Sequence, residues 1–126
     1  MKQTEGQLKL ACENYLQYLM NQNLLYWDRL NSGNIITKRG KYTFRVRLCR
    51  EGTADLFVLI KGDRGHPVVI FIELKEPKGQ LRQSQLAFRD DVIKQGAYYY
   101  IVRSVEELGD RLVSLSSTPN LFTSIL

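Results

Sequence analysis

Two carboxylates and one ammonium stand at the ends of two apolar runs. Gly52-Thr53-Ala54-Asp55 leads into the run 56–60, and the run 68–74 closes on Glu73-Leu74-Lys75. If the two runs pair as an antiparallel hairpin, Asp55 and Glu73 meet at one end of it. Side chains alternate along a strand, so Glu73 and Lys75 share a face while Leu74 turns to the core and leaves its backbone carbonyl as a further oxygen donor. Such donors suit Mg²⁺ or Mn²⁺, hard ions that retain waters and accept phosphate oxygens. A metal held there lowers the pKa of a bound water and polarises a phosphate, the chemistry of phosphodiester hydrolysis. Lys75 then has two roles open to it: orienting the attacking water, or offsetting charge on the phosphorus oxygens. Taken singly, a Glu-x-Lys pair is commonly a solvent-facing ion pair. At the ends of apolar runs, charges are costly unless they are paired or hold metal, which favours a site.

Positioning these residues requires a mixed α/β domain. Leu8, Cys12, Tyr15, Leu16 and Leu19 recur at three- and four-residue steps and predict a helix over about 4–21, with Thr4 as N-cap and Gln7 completing a capping box. Glu13 falls beside that apolar stripe, where it reaches the edge of whatever the helix packs against. Asn31-Ser32-Gly33-Asn34 reads as a turn. From Tyr42 to Leu48 apolar and polar residues alternate, predicting a half-exposed strand with a basic outer face. The runs 56–60 and 68–74 are expected as buried strands, and 61–67 as the turn between them. A helix over about 82–95 carries Gln85, Phe88 and Val92 on one face and stops at Gly96. A strand over 97–102 and a helix opened by Ser104-Val105-Glu106-Glu107 follow. The expected order is α-β-β-β-α-β-α, one domain over 1–126 with its core at about 4–115 and a tail over 116–126.

Composition narrows the function classes. The 126 residues are 44% hydrophobic and 25% charged, as in an ordinary globular domain. No apolar run reaches the length of a membrane span, and the first residues lack the apolar stretch of a signal peptide, so a cytoplasmic setting is expected. Two cysteines, Cys12 and Cys49, and a single histidine make a zinc site a poor fit; reduced, mostly buried thiols are expected. His66 lies in a turn without a partner pattern and receives no role. Net charge is +5, and between Arg29 and Arg50 there is no acidic residue. That stretch contains Lys38, Arg39, Lys41, Arg45 and Arg47, which suit an anionic partner such as nucleic acid and equally suit a solubilising face.

The ordered set of motifs resembles the PD-(D/E)XK nucleases and, more narrowly, the virus-type replication-repair nuclease (VRR-NUC) family. Its opening-helix glutamate is matched here by Glu13, its turn by Trp27-Asp28-Arg29-Leu30-Asn31-Ser32-Gly33, and its G-x-x-D by Gly52 to Asp55. Glu73-Leu74-Lys75 is similar to its E-x-K motif, and Gly79 through Phe88 to its G-x-L-x-x-x-Q-x-x-F pattern. Gly96 and Val102-Arg103-Ser104 complete the order. Ala54 stands at the proline position of the superfamily's name, and Arg82 where a capping Ser or Thr is often found. The resemblance implies a restriction-endonuclease-like fold and an enzyme using Mg²⁺ or Mn²⁺ held by Asp55, Glu73 and the Leu74 carbonyl, with Glu13 joining through a water or a second ion. It implies Lys75 as the catalytic lysine and Gln85 as the residue that steadies Lys75 or the water.

The function implied is a structure-selective DNA endonuclease of a phage or bacterial cell, cutting branched DNA such as four-way junctions as a homodimer. No small-molecule cofactor or membrane partner is expected. Lys38, Arg39, Lys41, Arg45, Arg47, Lys78 and Arg82 are the expected phosphate contacts. Two other readings stay open: a monomer that cuts flaps or ends, and a non-catalytic DNA-binding module on a nuclease-like scaffold.

Overall fold

A computed structural model describes residues 3–119; of the expected tail, residues 120–126 lie outside the described residues. Helix α1 spans Glu5–Asn21, and Thr4 caps it: its hydroxyl accepts the Gln7 N–H at 3.1 Å while the Gln7 side chain accepts the Thr4 N–H at 2.9 Å. A cap of this kind contributes about 1 kcal/mol. Strands β1 (Leu25–Arg29), β2 (Asn34–Arg39), β3 (Tyr42–Arg47), β4 (Leu56–Lys61) and β5 (Pro67–Leu74) follow, then α2 (Gln83–Lys94), β6 (Tyr98–Val102) and α3 (Val105–Leu115). Among the described residues no helix is long and apolar enough to cross a membrane.

The central sheet runs β1-β4-β5-β6. The pairs β1–β4 and β4–β5 are antiparallel, while β5–β6 is parallel, so α2 serves as the crossover between them. The expected β4–β5 hairpin is present, with Leu56 opposite Ile72 and Ile60 opposite Val68. One face of the sheet, through Leu56, Val58, Ile70, Ile72, Leu74 and Val102, packs on Leu8, Cys12, Leu16 and Leu19 of α1 and Leu108 and Leu112 of α3. Each of these side chains contributes roughly 1.5–3 kcal/mol when fully buried. The opposite face carries Phe71 and Glu73, and α2 covers that side: the Phe88 ring stands edge-on to Phe71 at 5.2 Å and 6.2 Å from Tyr99.

Three expectations need correction. Strands β1 and β2 were not anticipated: residues 25–29 are short, carry Asp28 and Arg29, and are recruited as an edge strand by backbone pairing with β4. The 42–48 segment is not a half-buried strand of the main sheet. It pairs with β2 in a separate two-stranded ribbon whose residues are all exposed. Gly40, with φ +60, makes its tight turn between Arg39 and Tyr42. The predicted 31–34 turn becomes the ribbon's root, where Gly33 and Asn31 exchange backbone hydrogen bonds with Leu48 and Cys49 at 2.9 Å. Lastly, Cys12 is buried as expected but Cys49, at that root, is exposed.

Candidate active site

The β4–β5 register decides the site. Asp55 immediately precedes β4 and so comes opposite the end of β5. Its backbone carbonyl accepts the Leu30 N–H at 2.9 Å and its Oδ2 accepts the Leu74 N–H at 2.8 Å. Main chain and side chain are thus fixed from two sides. Glu73 projects from the other face of β5 to Ile72 and Leu74 and is only 3% exposed. Gln85 Nε2 donates to Glu73 Oε1 at 2.6 Å, while Gln85 Oε1 accepts the Arg82 N–H at 2.8 Å. Arginine has no acceptor to cap a helix, so Gln85 supplies the reciprocal half of a capping box at the start of α2. Serving both partners fixes which end of its amide faces Glu73. The resemblance implied a Gln85 that steadies Lys75 or a water; its hydrogen-bond partner here is Glu73.

Gly52 brings α2 to the strand. Its φ is +90, and a Cβ there would lie 2.2 Å from the Ser84 carbonyl oxygen and 2.9 Å from Gln85 N. Both the backbone angle and the contact exclude a side chain. The G-x-x-D motif is therefore where the Asp55 approach and the Gln85 helix touch backbone to backbone.

Burial raises the Glu73 pKa well above the usual carboxylate range, the nearby Asp55 charge raises it further, and Lys75 opposes the shift. Glu73 Oε2 is buried and has no hydrogen-bond partner. Lys75 makes no ion pair within 4 Å among the described residues. Asp55, Glu73, Lys75 and Gln85 line one cavity of about 390 Å³, with Arg82 at its wall. A larger cleft of about 710 Å³ lies along α2 and β5 between Phe71, Phe88, Val92 and Tyr98. It is mainly apolar, and its carboxylate Asp91 is neutralised by Arg50 at 2.8 Å. Chemistry, not size, picks out the smaller cavity.

Glu13 is placed elsewhere. Its Oε2 lies 2.9 Å from Arg29 Nε, an ion pair to the edge strand, and it does not line the cavity. Glu5, in the first turn of the same helix, does line it, as does Ser32 from the ribbon root. A first-turn acid such as Glu5 is amply explained by the helix dipole, so its position in the sequence carries no signal of a site. No group of three His, Cys, Asp or Glu side chains poised to hold a metal occurs among the described residues. Tyr99 was also missed: its hydroxyl is buried without a partner, and burial followed by the Glu73 and Asp55 charges raises its pKa, so it stays neutral. Lys38, Arg39, Lys41, Arg45 and Arg47 all lie on the exposed ribbon, and Lys78 lies in the exposed turn after β5.

The profile of the VRR-NUC domain matches residues 2–106, from before α1 into the start of α3. The chain belongs to the VRR-NUC family. This VRR-NUC chain is also similar in fold to a solved structure described as a VRR_NUC domain, with a TM-score of 0.55 and 22% identity over 87% of this chain and 94% of that one. A comparison with curated protein sequences gives no match. VRR-NUC membership implies a nuclease-type function with DNA as substrate.

Proposed function

We propose that this VRR-NUC domain is a metal-dependent, structure-selective DNA endonuclease whose phosphodiester hydrolysis is carried by Asp55, Glu73, Lys75 and Gln85. The observation that carries this reading is Glu73, whose buried Oε2 has no hydrogen-bond partner among the described residues, lining one cavity with Asp55 and with Lys75, which has no ion-pair partner among those residues either. An orphaned carboxylate oxygen beside a second carboxylate fits a divalent cation: the all-oxygen donor set suits Mg²⁺ or Mn²⁺, and a cation would remove the charge penalty on Glu73. Asp55, Glu73 and the Leu74 carbonyl would hold it. Glu5, on the same cavity wall, is the better-placed third carboxylate than Glu13. Such an ion supplies an activated water and polarises the scissile phosphate.

The chain's own residues do the rest. Gln85 pins Glu73 Oε1 and leaves Oε2 without a hydrogen-bond partner among the described residues. The Leu74 N–H bound to Oδ2 holds the Asp55 carboxylate in place. Lys75 offers its ammonium to the water or to the charge growing on the phosphorus oxygens. Arg82 at the cavity wall, Lys78, and the ribbon residues Lys38, Arg39, Lys41, Arg45 and Arg47 receive the DNA backbone. Branched DNA as the preferred substrate, and a homodimer placing two such cavities for paired incision, complete the reading.

The test incubates the protein with four-way, flapped, single-stranded and plain duplex DNA in Mg²⁺, Mn²⁺ or EDTA, with sedimentation alongside. Metal-dependent incision of the four-way substrate by a dimer is expected. Cleavage of flaps or ends by a monomer would overturn the paired-incision part. DNA binding that ignores metal, with no cleavage of any substrate, would overturn the enzyme reading altogether.

A further inference from the structure

The end of β5 that carries Glu73 and Lys75 is held from the neighbouring strand. The Lys75 N–H donates to the Val102 carbonyl at 3.1 Å, just past the last paired residues of β5 and β6. Beyond it the chain turns through Glu76-Pro77-Lys78-Gly79, closed by the Gly79 N–H on the Glu76 carbonyl at 2.9 Å. Arg103 follows Val102 directly, and its Nη1 donates both to the Glu76 carbonyl and, at 3.1 Å, to the Gly79 carbonyl. The turn runs beside the lysine stem, with less than a methyl group's room between them at Gly79. A Cβ added to Gly79 would stand 3.3 Å from Lys75 Cδ and 3.5 Å from Lys75 Cβ.

Lys75 has no ion-pair partner among the described residues, so no opposite charge fixes where its ammonium stands. A four-carbon stem has many rotamers, and only contacts along its length select among them. Arg103 likewise makes no ion pair among the described residues; its charge is spent on two backbone carbonyls. A cation donating to neutral carbonyls makes stronger hydrogen bonds than a neutral donor, so the turn is firmly held.

We infer that Arg103 is a positioning residue for the nuclease reaction: by holding the Glu76 and Gly79 carbonyls it presses the 76–79 turn onto the Lys75 stem and sets where the ammonium stands. This rests on the nuclease reading above for its consequence, but not for its geometry. One strand end therefore fixes both halves of Lys75, the backbone through Val102 and the side chain through Arg103.

The test compares wild type, Arg103→Ala and Arg103→Lys, each also in a Lys75→Ala background. It measures kcat, DNA affinity in EDTA and Gly79 amide exchange throughout, and the NMR order of the Lys75 side chain where Lys75 is present. Displacing a catalytic group by an ångström costs on the order of 100-fold. Arg103→Ala is therefore expected to lower kcat by about 10- to 100-fold with DNA affinity held within about twofold, and Arg103→Lys to recover part of the loss. In the Lys75→Ala background the same change should add almost nothing, since residues acting as one unit are not additive. An equal loss in both backgrounds would show Arg103 acting independently of Lys75 and overturn the inference. A fall in affinity at unchanged kcat would overturn it too, making Arg103 a phosphate contact. Should Arg103→Ala fail to fold, Arg103→Lys carries the same comparison. If wild type cleaves no DNA, the nuclease reading fails; the clamp then stands or falls on whether Gly79 exchange rises and Lys75 order drops in the variants.

Discussion

The β4–β5 hairpin and the β2–β3 ribbon are both antiparallel pairs that carry apolar residues, yet they end in opposite environments. In β4 and β5, Leu56, Val58, Ile70 and Ile72 are fully buried against α1 and α3. In the ribbon, Ile35, Ile36, Phe44 and Val46 are 39–70% exposed, and no residue of either strand is buried. The register sorts the ribbon into two faces: Ile35 and Val46, and Thr37 and Phe44, pair on one, while Ile36 pairs with Arg45, and Asn34 with Arg47, on the other. The difference teaches that alternation specifies two faces but not what covers them. It also separates two kinds of charge. Asp55 and Glu73 are tied by hydrogen bonds to neighbouring elements, as chemistry on a single phosphorus requires, whereas the ribbon's arginines stand in water, where they can follow a backbone of any sequence.

Experiments can break that contrast, and the largest effect belongs to the cavity residues. Glu73→Gln and Lys75→Ala should each lower metal-dependent cleavage by about 100-fold or more, while leaving DNA affinity in EDTA close to wild type. Titration of binding and cleavage on one four-way substrate checks this; equal losses in both would mean that the site and the ribbon are not separate devices. Next come two glycines. Gly52→Ala meets backbone at the start of α2 and should cost about 3 kcal/mol or more in urea unfolding, combining overpacking with left-handed strain. Gly40→Ala, at the ribbon tip with nothing within 4 Å, should cost only the backbone strain of about 1–2 kcal/mol. Similar costs would show the ribbon packed against something.

Smaller still is the ribbon's contribution to binding. Arg45→Ala with Arg47→Ala should weaken DNA affinity by about tenfold at moderate salt and flatten the log–log salt dependence by roughly 0.9 per lost phosphate contact, with stability and saturated kcat unchanged. An unchanged slope would remove these arginines from the interface. The smallest effect is a pH dependence of the metal-free protein. The Glu73 pKa is raised by folding, so the folded state holds a proton that the unfolded state has released; stability present at low pH is lost as pH rises between 4.5 and about 8. Glu73→Gln should abolish this decline, and added Mg²⁺ or Mn²⁺ should lessen it in wild type. Thermal melts in EDTA at pH 5 and pH 8.5 check it, and a decline that survives Glu73→Gln would assign it to another group.

How much was legible follows from how local each signal was. Helix α1 with its Thr4 cap, the β4–β5 hairpin and α2 with a buried Gln85 could all be read from spacing, because period and capping are properties of neighbouring residues. Strand β1 could not: Tyr26 and Trp27 favour a strand, but Asp28 and Arg29 cut the run short, and its pairing depends on the edge that β4 offers. The placement of Glu13 was no more legible. Glu5 and Glu13 both lie on α1, and which of them meets the cavity depends on how the helix crosses the sheet, a quantity absent from its periodicity.

The sequence by itself determined the site's chemical content, two carboxylates, a lysine and a glutamine at element ends, because residue type and local period are written in the chain. The tertiary structure alone decided the partners: Gln85 on Glu73, Leu74 N–H on Asp55, Glu5 in place of Glu13, and Arg103 over the turn beside Lys75. The physical reason is that each of these depends on strand register and helix crossing, which long-range packing sets and no local spacing encodes.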